Sequence, residues 1–307
     1  MIPPITDFVW FDGAIVPWDE AVVHVKTHTL HYGLGVFEGT RAYEQTGGGT
    51  AVFRLADHLR RLDGSARVVD IPQEYDAETL NEATLELIRR NRLPSCYIRH
   101  IVFLGAGSMG LYPEENPTQT AILTWPWGTY LGEEGMKNGT HCKVSSYVRQ
   151  FPNAMLLKAK ATANYLNSIL AKREAVRSGY DEAILLDGQG YVAEGSGENL
   201  FIVYEGRLLT APLTSVLHGI TRDTVMQLAA AAEGLEVEER HFTRDSLYLA
   251  DEIFLTGTAA EVTPVRMVDH RPIGDGKPGP VTKRMQELFF GIVRGEAPEW
   301  RHWLTEV

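Results

Sequence analysis

With 307 residues, 44% of them apolar and 22% charged, the chain has the composition of an ordinary globular protein and room for two cores. Its net charge of −11 argues against a nucleic-acid surface and requires that any anionic ligand be held by local cations or backbone donors. No apolar run is long enough to span a bilayer, and residues 1–7 lack the basic-then-apolar order of a secretory signal. Cys96 and Cys142 are far apart and in no CxxC motif, so they read as reduced thiols of a cytoplasmic protein.

Residues 8–11 and 14–18 flank Asp12-Gly13, which predicts a hairpin. Residues 28–41 are dense in glycine, Tyr, Phe, His and Arg. They miss the GxGxxG dinucleotide pattern because position 38 is Glu, and a glycine-rich, ligand-facing loop is expected instead. Leu55, Leu59, Leu62, Ala66 and Val69 recur at helical spacing, with Arg61 beside the stripe. Asp76 is placed to cap a second helix carrying Leu80, Ala83, Leu87 and Ile88. Residues 96–104 predict a strand with Tyr97, Arg99, Ile101 and Phe103 on one face. An arginine there reads as half of a structural ion pair or as an anion site, because an unpaired buried charge is costly. Residues 105–111 form a loop and residues 118–125 a strand. The glycine-bearing stretch 129–139 reads as an interdomain loop, which sets a smaller N-terminal domain at 1–128 and a larger C-terminal one at 140–307.

The second half opens with a strand near residues 142–147. Leu156-Leu157-Lys158-Ala159-Lys160-Ala161 then places two lysines among small and apolar residues, with no acid between Gln150 and Leu170. Burial of such a lysine disfavours its charged form and exposes a nucleophilic amine. The plainer reading is a pair of lysines with buried stems and wet heads. A helix follows to about Gly179, then a β-turn-β unit around residues 187–190 and the acid–glycine run Glu194-Gly195-Ser196-Gly197-Glu198. Gly219-Ile220-Thr221 opens a helix, whose free N–H groups suit a phosphate, and residues 252–255 predict a strand ending in the small residues 256–260. A last helix carries Val281, Met285, Leu288, Phe289 and Ile292.

Taken in order, these stretches resemble the branched-chain amino acid aminotransferases, which belong to fold-type IV of the pyridoxal-phosphate enzymes. The motifs that carry the resemblance are His31-Tyr32-Gly33 with Val36-Phe37-Glu38-Gly39, Tyr97-Ile98-Arg99, Pro126-Trp127-Gly128, and Lys160 with Asn164-Tyr165. They continue with Glu194 to Phe201, Gly219-Ile220-Thr221-Arg222-Asp223, and Gly257-Thr258-Ala259-Ala260-Glu261. The resemblance implies a mixed α/β, two-domain, D-amino acid aminotransferase-like fold with the site in the cleft between domains. It implies transfer of the amino group of leucine, isoleucine or valine to 2-oxoglutarate, with pyridoxal 5'-phosphate, no metal, and a homodimer or larger homo-oligomer.

Residue by residue, Lys160 matches the lysine that carries the cofactor as an aldimine and moves the substrate proton, while Lys158 matches no family lysine. Glu194 matches the carboxylate facing the pyridine nitrogen, and Tyr165 the tyrosine at the phenolic oxygen. Arg61 matches the phosphate cup together with Leu217, Gly219, Ile220, Thr221 and Thr258. For substrate the resemblance implies Thr258, Ala259 and Tyr97 at the α-carboxylate and Phe37, Trp127, Tyr165 and Leu111 along the apolar chain. Arg99, with Tyr32 and Tyr130 and with Arg41 as the next candidate, is implied at a second carboxylate. Three positions depart from the family. His100 replaces a common proline on what is expected to be the substrate side, Thr162-Ala163 replaces a glycine pair, and His218 replaces a proline of some relatives. A D-amino acid or (R)-amine transaminase of the same fold is the alternative activity, and a binding protein on the same scaffold is the non-enzymatic one.

Overall fold

The computed structural model describes residues 5–233 and 235–307; part of the stretch read for a targeting signal, residues 1–4, lies outside them. Two compact units emerge. The first comprises the chain up to Trp127 with Lys158–Ala163 and Ile292–Val307; the second comprises Gly128–Leu157 and Asn164–Gly291.

Strands β1 (Phe8–Phe11) and β2 (Ala14–Pro17) form the expected hairpin. The short helix α1 (His28–Tyr32) leads into β3 (Gly35–Glu44), and β4 (Thr50–Phe53) pairs with the end of β3. Residues 28–41 are therefore a helical turn and a strand, not a loop. Of their glycines only Gly33 has a positive φ, and the ladder of β3 absorbs the others. Helices α2 (Leu55–Val68) and α3 (Ala77–Asn91) follow, then β5 (Cys96–Leu104) and β6 (Thr118–Trp125). Asp76 caps α3 by accepting the Thr79 amide at 2.8 Å. With β16 (Leu304–Glu306) these strands make an antiparallel sheet in the order β16-β4-β3-β5-β6-β1-β2. Leu55, Leu59, Leu62 and Ala66 of α2 and Leu80, Leu87 and Ile88 of α3 share one core with Val36, Ile98, Val102 and Ile122 of the sheet. The helices therefore cover one face of the sheet. The lysine stretch and the C-terminal segment, expected in the C-terminal domain, belong here because β16 pairs with β4 and Lys158–Ala163 bonds along β3.

The second unit starts with helix α4 (Gly132–Asn138), so the stretch expected as an interdomain loop is partly helical. It continues with β7 (Thr140–Val148), α5 (Tyr165–Arg177), β8 (Glu182–Leu186), β9 (Val192–Gly195), β10 (Asn199–Tyr204) and β11 (Arg207–Thr210). Helix α6 (Ile220–Glu233), β12 (Val237–Glu239), α7 (Arg244–Leu249), β13 (Glu252–Gly257), β14 (Glu261–Val268), β15 (Arg271–Pro272) and α8 (Pro280–Val293) complete the order. The sheet runs β12-β11-β10-β13-β14-β7-β8-β9, with β15 on β14. Parallel pairs β7/β8 and β11/β12 need crossovers, which α5 and α6 provide. Val144, Ile184, Leu200, Ile202, Leu255 and Val265 form its core. Among the described residues no helix is long and apolar enough to cross a membrane.

One buried acid organises the end of this unit. Glu252 accepts the amides of Val281 and Thr282 at 3.0 and 2.8 Å and the Thr282 hydroxyl at 2.7 Å, which satisfies the open N-terminus of α8. Glu252→Ala leaves buried donors without an acceptor and is expected to cost about 1–3 kcal/mol. Urea unfolding checks this, and an unchanged midpoint would rule out the cap.

Candidate active site

Lys160 is fixed through its backbone. Strand β4 pairs only with residues 42–44 of β3, so residues 35–40 keep an open edge. The lysine segment takes that edge: the Phe37 amide donates to the Lys160 carbonyl at 3.0 Å, and Val36 bridges Ala161. The Lys160 amide in turn donates to Ser65 Oγ on α2 at 3.0 Å. Thr162, at the departure from the glycine pair, donates its hydroxyl to the Gly33 carbonyl at 2.6 Å. Ala159 and Ala161 enter the core, which turns the alternate residues outward. Lys158 is exposed, whereas Lys160 is half-buried with Nζ 5.2 Å from the centroid of the Phe37 ring.

The sheet face opposite the helices carries the substrate candidates of this unit. Arg99 stacks against Phe37 at 4.6 Å, Tyr97 at 5.4 Å and Trp125 at 5.9 Å. Its Nη2 donates to the Tyr97 hydroxyl at 3.4 Å, and its buried Nε has no hydrogen-bond partner among the described residues. Tyr97 packs edge-on to Trp127 at 4.6 Å, and Arg41 donates to the Trp127 carbonyl at 2.7 Å. A Cβ on Gly39 would collide with the Tyr97 hydroxyl, so glycine is what lets the ring lie across β3.

The helix-facing side holds a buried charge cluster. Glu38 accepts Arg61 Nε at 2.6 Å and Nη2 at 2.9 Å, and His58 Nδ1 at 2.7 Å. Burial alone would raise the Glu38 pKa, but Arg61 and His58 together hold it far below the usual carboxylate range. Burial outweighs Glu38 at His58 and lowers its pKa, so the imidazole is neutral near pH 7. His100, expected on the substrate side, points to the helices instead, because it shares a strand face with Ile98 and Val102. It is fully buried, its Nε2 bonds Thr84 Oγ1 at 2.8 Å, and burial lowers its pKa to about 3.

Glu194 lies on β9 of the second unit. Its Oε1 pairs with Arg149 Nε at 2.6 Å, and its Oε2 accepts Asn199 Nδ2 at 3.3 Å and the Leu217 amide at 3.2 Å. Asn199 also donates to the Leu217 carbonyl at 3.0 Å and is the register partner of Thr256 on β13. That side chain ties the 217–219 loop to the strand leading to Thr258 and Ala259. A Cβ on Gly219 would strike the Asn199 side-chain oxygen, so this loop needs glycine before α6 opens at Ile220 and Thr221. Tyr165 begins α5, and Tyr130 lies with its ring 5.0 Å from Lys172 Nζ.

Tyr32 and Leu111 lie apart from the rings around Arg99 in the contacts of the described residues. Tyr32 stacks on His28 at 4.6 Å, and Leu111 is 90% exposed. Sequence reasoning assigned no role to Arg149, Glu38, His58 or Asn199. Glu38 and Asn199 stood inside motifs already singled out, but Arg149 gave no signal, since its partner Glu194 is remote in sequence.

The amino-transferase class IV family model matches residues 35–268, and the chain belongs to that family. It is 48% identical over 299 residues to a branched-chain-amino-acid aminotransferase of Pseudomonas aeruginosa, covering 97% of each chain. The crystal structure of the Escherichia coli branched-chain amino acid aminotransferase superposes with a TM-score of 0.95 at 48% identity, covering 97% of this chain and 98% of that one. The T.th. branched-chain amino acid aminotransferase with pyridoxamine 5'-phosphate gives 0.94 at 49% identity, with 98% of both chains covered. The expected fold-type IV class is thereby established.

Glu198 closes the acid–glycine run that begins at Glu194. Burial, and then Glu182, push its pKa up to about 8 against the opposing pull of Lys172. An unfolded glutamate loses its proton in the ordinary carboxylate range, so between there and about pH 8 the folded protein binds the extra proton. This contribution to stability is complete at acid pH and is lost as pH rises. Glu198→Gln should flatten that slope in urea unfolding series across neutral pH. A slope equal to that of the parent would show that Glu198 is ionised in the folded state.

Proposed function

We propose that this chain is a pyridoxal-phosphate-dependent branched-chain amino acid aminotransferase. It takes the amino group of L-leucine, L-isoleucine or L-valine and returns it to 2-oxoglutarate as L-glutamate. The residues fit the cofactor. A half-buried lysine stands ready for its aldehyde, and a buried carboxylate already paired with Arg149 can meet a protonated ring nitrogen. Gly219 clears Asn199 where the chain enters α6, and a helix N-terminus suits a phosphate. When bound, pyridoxal phosphate supplies an electron sink for charge at the substrate α-carbon.

In this reading Lys160 holds the cofactor and carries a proton to and from the substrate α-carbon. Glu194 keeps the ring nitrogen protonated, Tyr165 bonds the phenolic oxygen, and Arg61 with Leu217, Gly219, Ile220, Thr221 and Thr258 holds the phosphate. Thr258, Ala259 and Tyr97 take the α-carboxylate. Lys158 has no part in the chemistry. Its buried thiols, Cys96 and Cys142, suit a reducing cytoplasm.

The observation that carries the substrate reading is Arg99. A cation stands in an aromatic wall of Phe37, Tyr97 and Trp125, with a hydroxyl for company and no carboxylate partner among the described residues. Lys160 Nζ lies over the same Phe37 ring. Such a wall accepts a branched apolar chain, and the guanidinium accepts the second carboxylate of glutamate or 2-oxoglutarate. A charge-assisted pair is worth about 1.5–3 kcal/mol, or roughly tenfold to a hundredfold. Arg99→Ala should lower kcat/KM for the dicarboxylic substrates by that factor and for leucine only mildly. Equal losses would make Arg99 structural or a ligand of the shared α-carboxylate.

The active unit is at least a homodimer. The loop after β5 is stitched to the region before β3: His28 Nε2 donates to the Gly110 carbonyl at 2.8 Å, and the His28 amide to the Gly105 carbonyl at 3.1 Å. This surface exposes Val22, Val25, Leu30, Met109, Leu111 and Tyr112, a concentration of apolar side chains that marks an interface. A second copy is its occupant, with Leu111 and Tyr32 serving that copy's substrate pocket. Leu111→Asp should shift sedimentation toward monomer and reduce activity together. A fully active monomer at assay concentration would contradict the assembly.

A further inference from the structure

We propose that Glu38, itself held by His58, is the positioning residue that aims the Arg61 guanidinium at the cofactor phosphate. This rests on the reading of Arg61 as a phosphate ligand and assigns the device that makes it one. Glu38 sits on β3 beside Phe37, whose amide holds the Lys160 backbone, and Ser65, one turn on from Arg61 in α2, receives the Lys160 amide. The three positions are therefore set by the same pairing of α2, β3 and the lysine segment.

The geometry is that of a clamp. Arginine has five N–H donors in a rigid planar fork. Glu38 takes Nε with one oxygen and Nη2 with the other, at 2.6 and 2.9 Å. Two bonds to one carboxylate remove rotation about the end of the arginine side chain, and the directions of its remaining donors are fixed. The carboxylate is fixed as well. His58 Nδ1 donates to Oε2 at 2.7 Å and the Gly39 amide at 3.2 Å, and both Glu38 and His58 are buried. His58 lies one helical turn before Arg61 on α2, so one turn of helix supplies both donors to a single acid on the sheet.

Two effects of Glu38 oppose each other, and the experiment tells which prevails. As a counter-charge it weakens the pull of Arg61 on a phosphate, so its neutralisation would tighten binding. As a clamp it orders the guanidinium in advance, so its loss would weaken binding. Glu38→Gln separates the two, because an amide places an NH2 against donors that all need an acceptor and must release Arg61 or His58. Each variant is stripped of cofactor and titrated separately with pyridoxal phosphate and with pyridoxal, which has no phosphate.

Glu38→Gln is expected to weaken pyridoxal phosphate about tenfold to a hundredfold and to leave pyridoxal affinity unchanged. His58→Leu should act in the same direction, and His58→Asn, which keeps an N–H donor, should restore most of the affinity. Unchanged or tighter binding of pyridoxal phosphate by Glu38→Gln and His58→Leu, with Arg61→Ala weakened, would overturn the clamp alone. Equal weakening of both ligands would also overturn it, because a merely structural glutamate acts on both. Full affinity in Arg61→Ala would remove the phosphate reading and the clamp with it.

Discussion

The bond from the Phe37 amide to the Lys160 carbonyl is the constraint on which the placement of Lys160 depends. It exists because β4 is too short to cover β3, and an open strand edge in a protein interior must find a partner. The lysine segment meets that demand with its backbone. Period-two alternation then does the rest: Ala159 and Ala161 fill the core and Lys160 faces outward over the Phe37 ring. Lys158, two residues earlier, shares the parity but lies beyond the pairing and is exposed. Position along an edge, rather than any local property of the lysines, separates them.

Charge follows a second rule. Burying an ion is costly unless a counter-ion and further hydrogen bonds accompany it. Arg61 has Glu38, Glu194 has Arg149, and Lys172 has Glu182 at 2.7 Å, each within its own unit. These pairs hold the ions in place without any ligand. Arg99 departs from the rule, with rings where its carboxylate would be. Cation–π contact makes that position tolerable without neutralising it, which leaves the guanidinium able to answer a substrate carboxylate. Under the proposed function, the pocket alternates between leucine and glutamate, and that combination would suit it.

Local pattern made much of this visible in the sequence. The alternation in Cys96–Leu104, the stripe Leu55-Leu59-Leu62 and the Asp76 cap are short-range signals, and the elements form where they predict. Long-range pairing was not visible. Nothing local says that residues 158–163 join β3, that β16 returns to β4, or that Arg149 meets Glu194 across 45 positions. The glycines of 28–41 mislead for the same reason: Gly39 serves a close approach by Tyr97 from another strand, not a loop. The departure of His100 from a family pattern says nothing of its strand parity, and it is the parity that sends it to Thr84 and the helices. Glu38 and His58 were in plain view, yet their roles depend on a third residue.

Attachment of the cofactor to Lys160 is the central claim, and it can be read directly on the holoenzyme. Borohydride reduction makes the lysine–cofactor link permanent, and digestion with mass spectrometry then locates the added phosphopyridoxyl mass. The structure predicts the mass on Lys160, with Lys158 unmodified. The same mass on Lys158, or on any other lysine in place of Lys160, would contradict the register of the segment along β3 and the site built upon it.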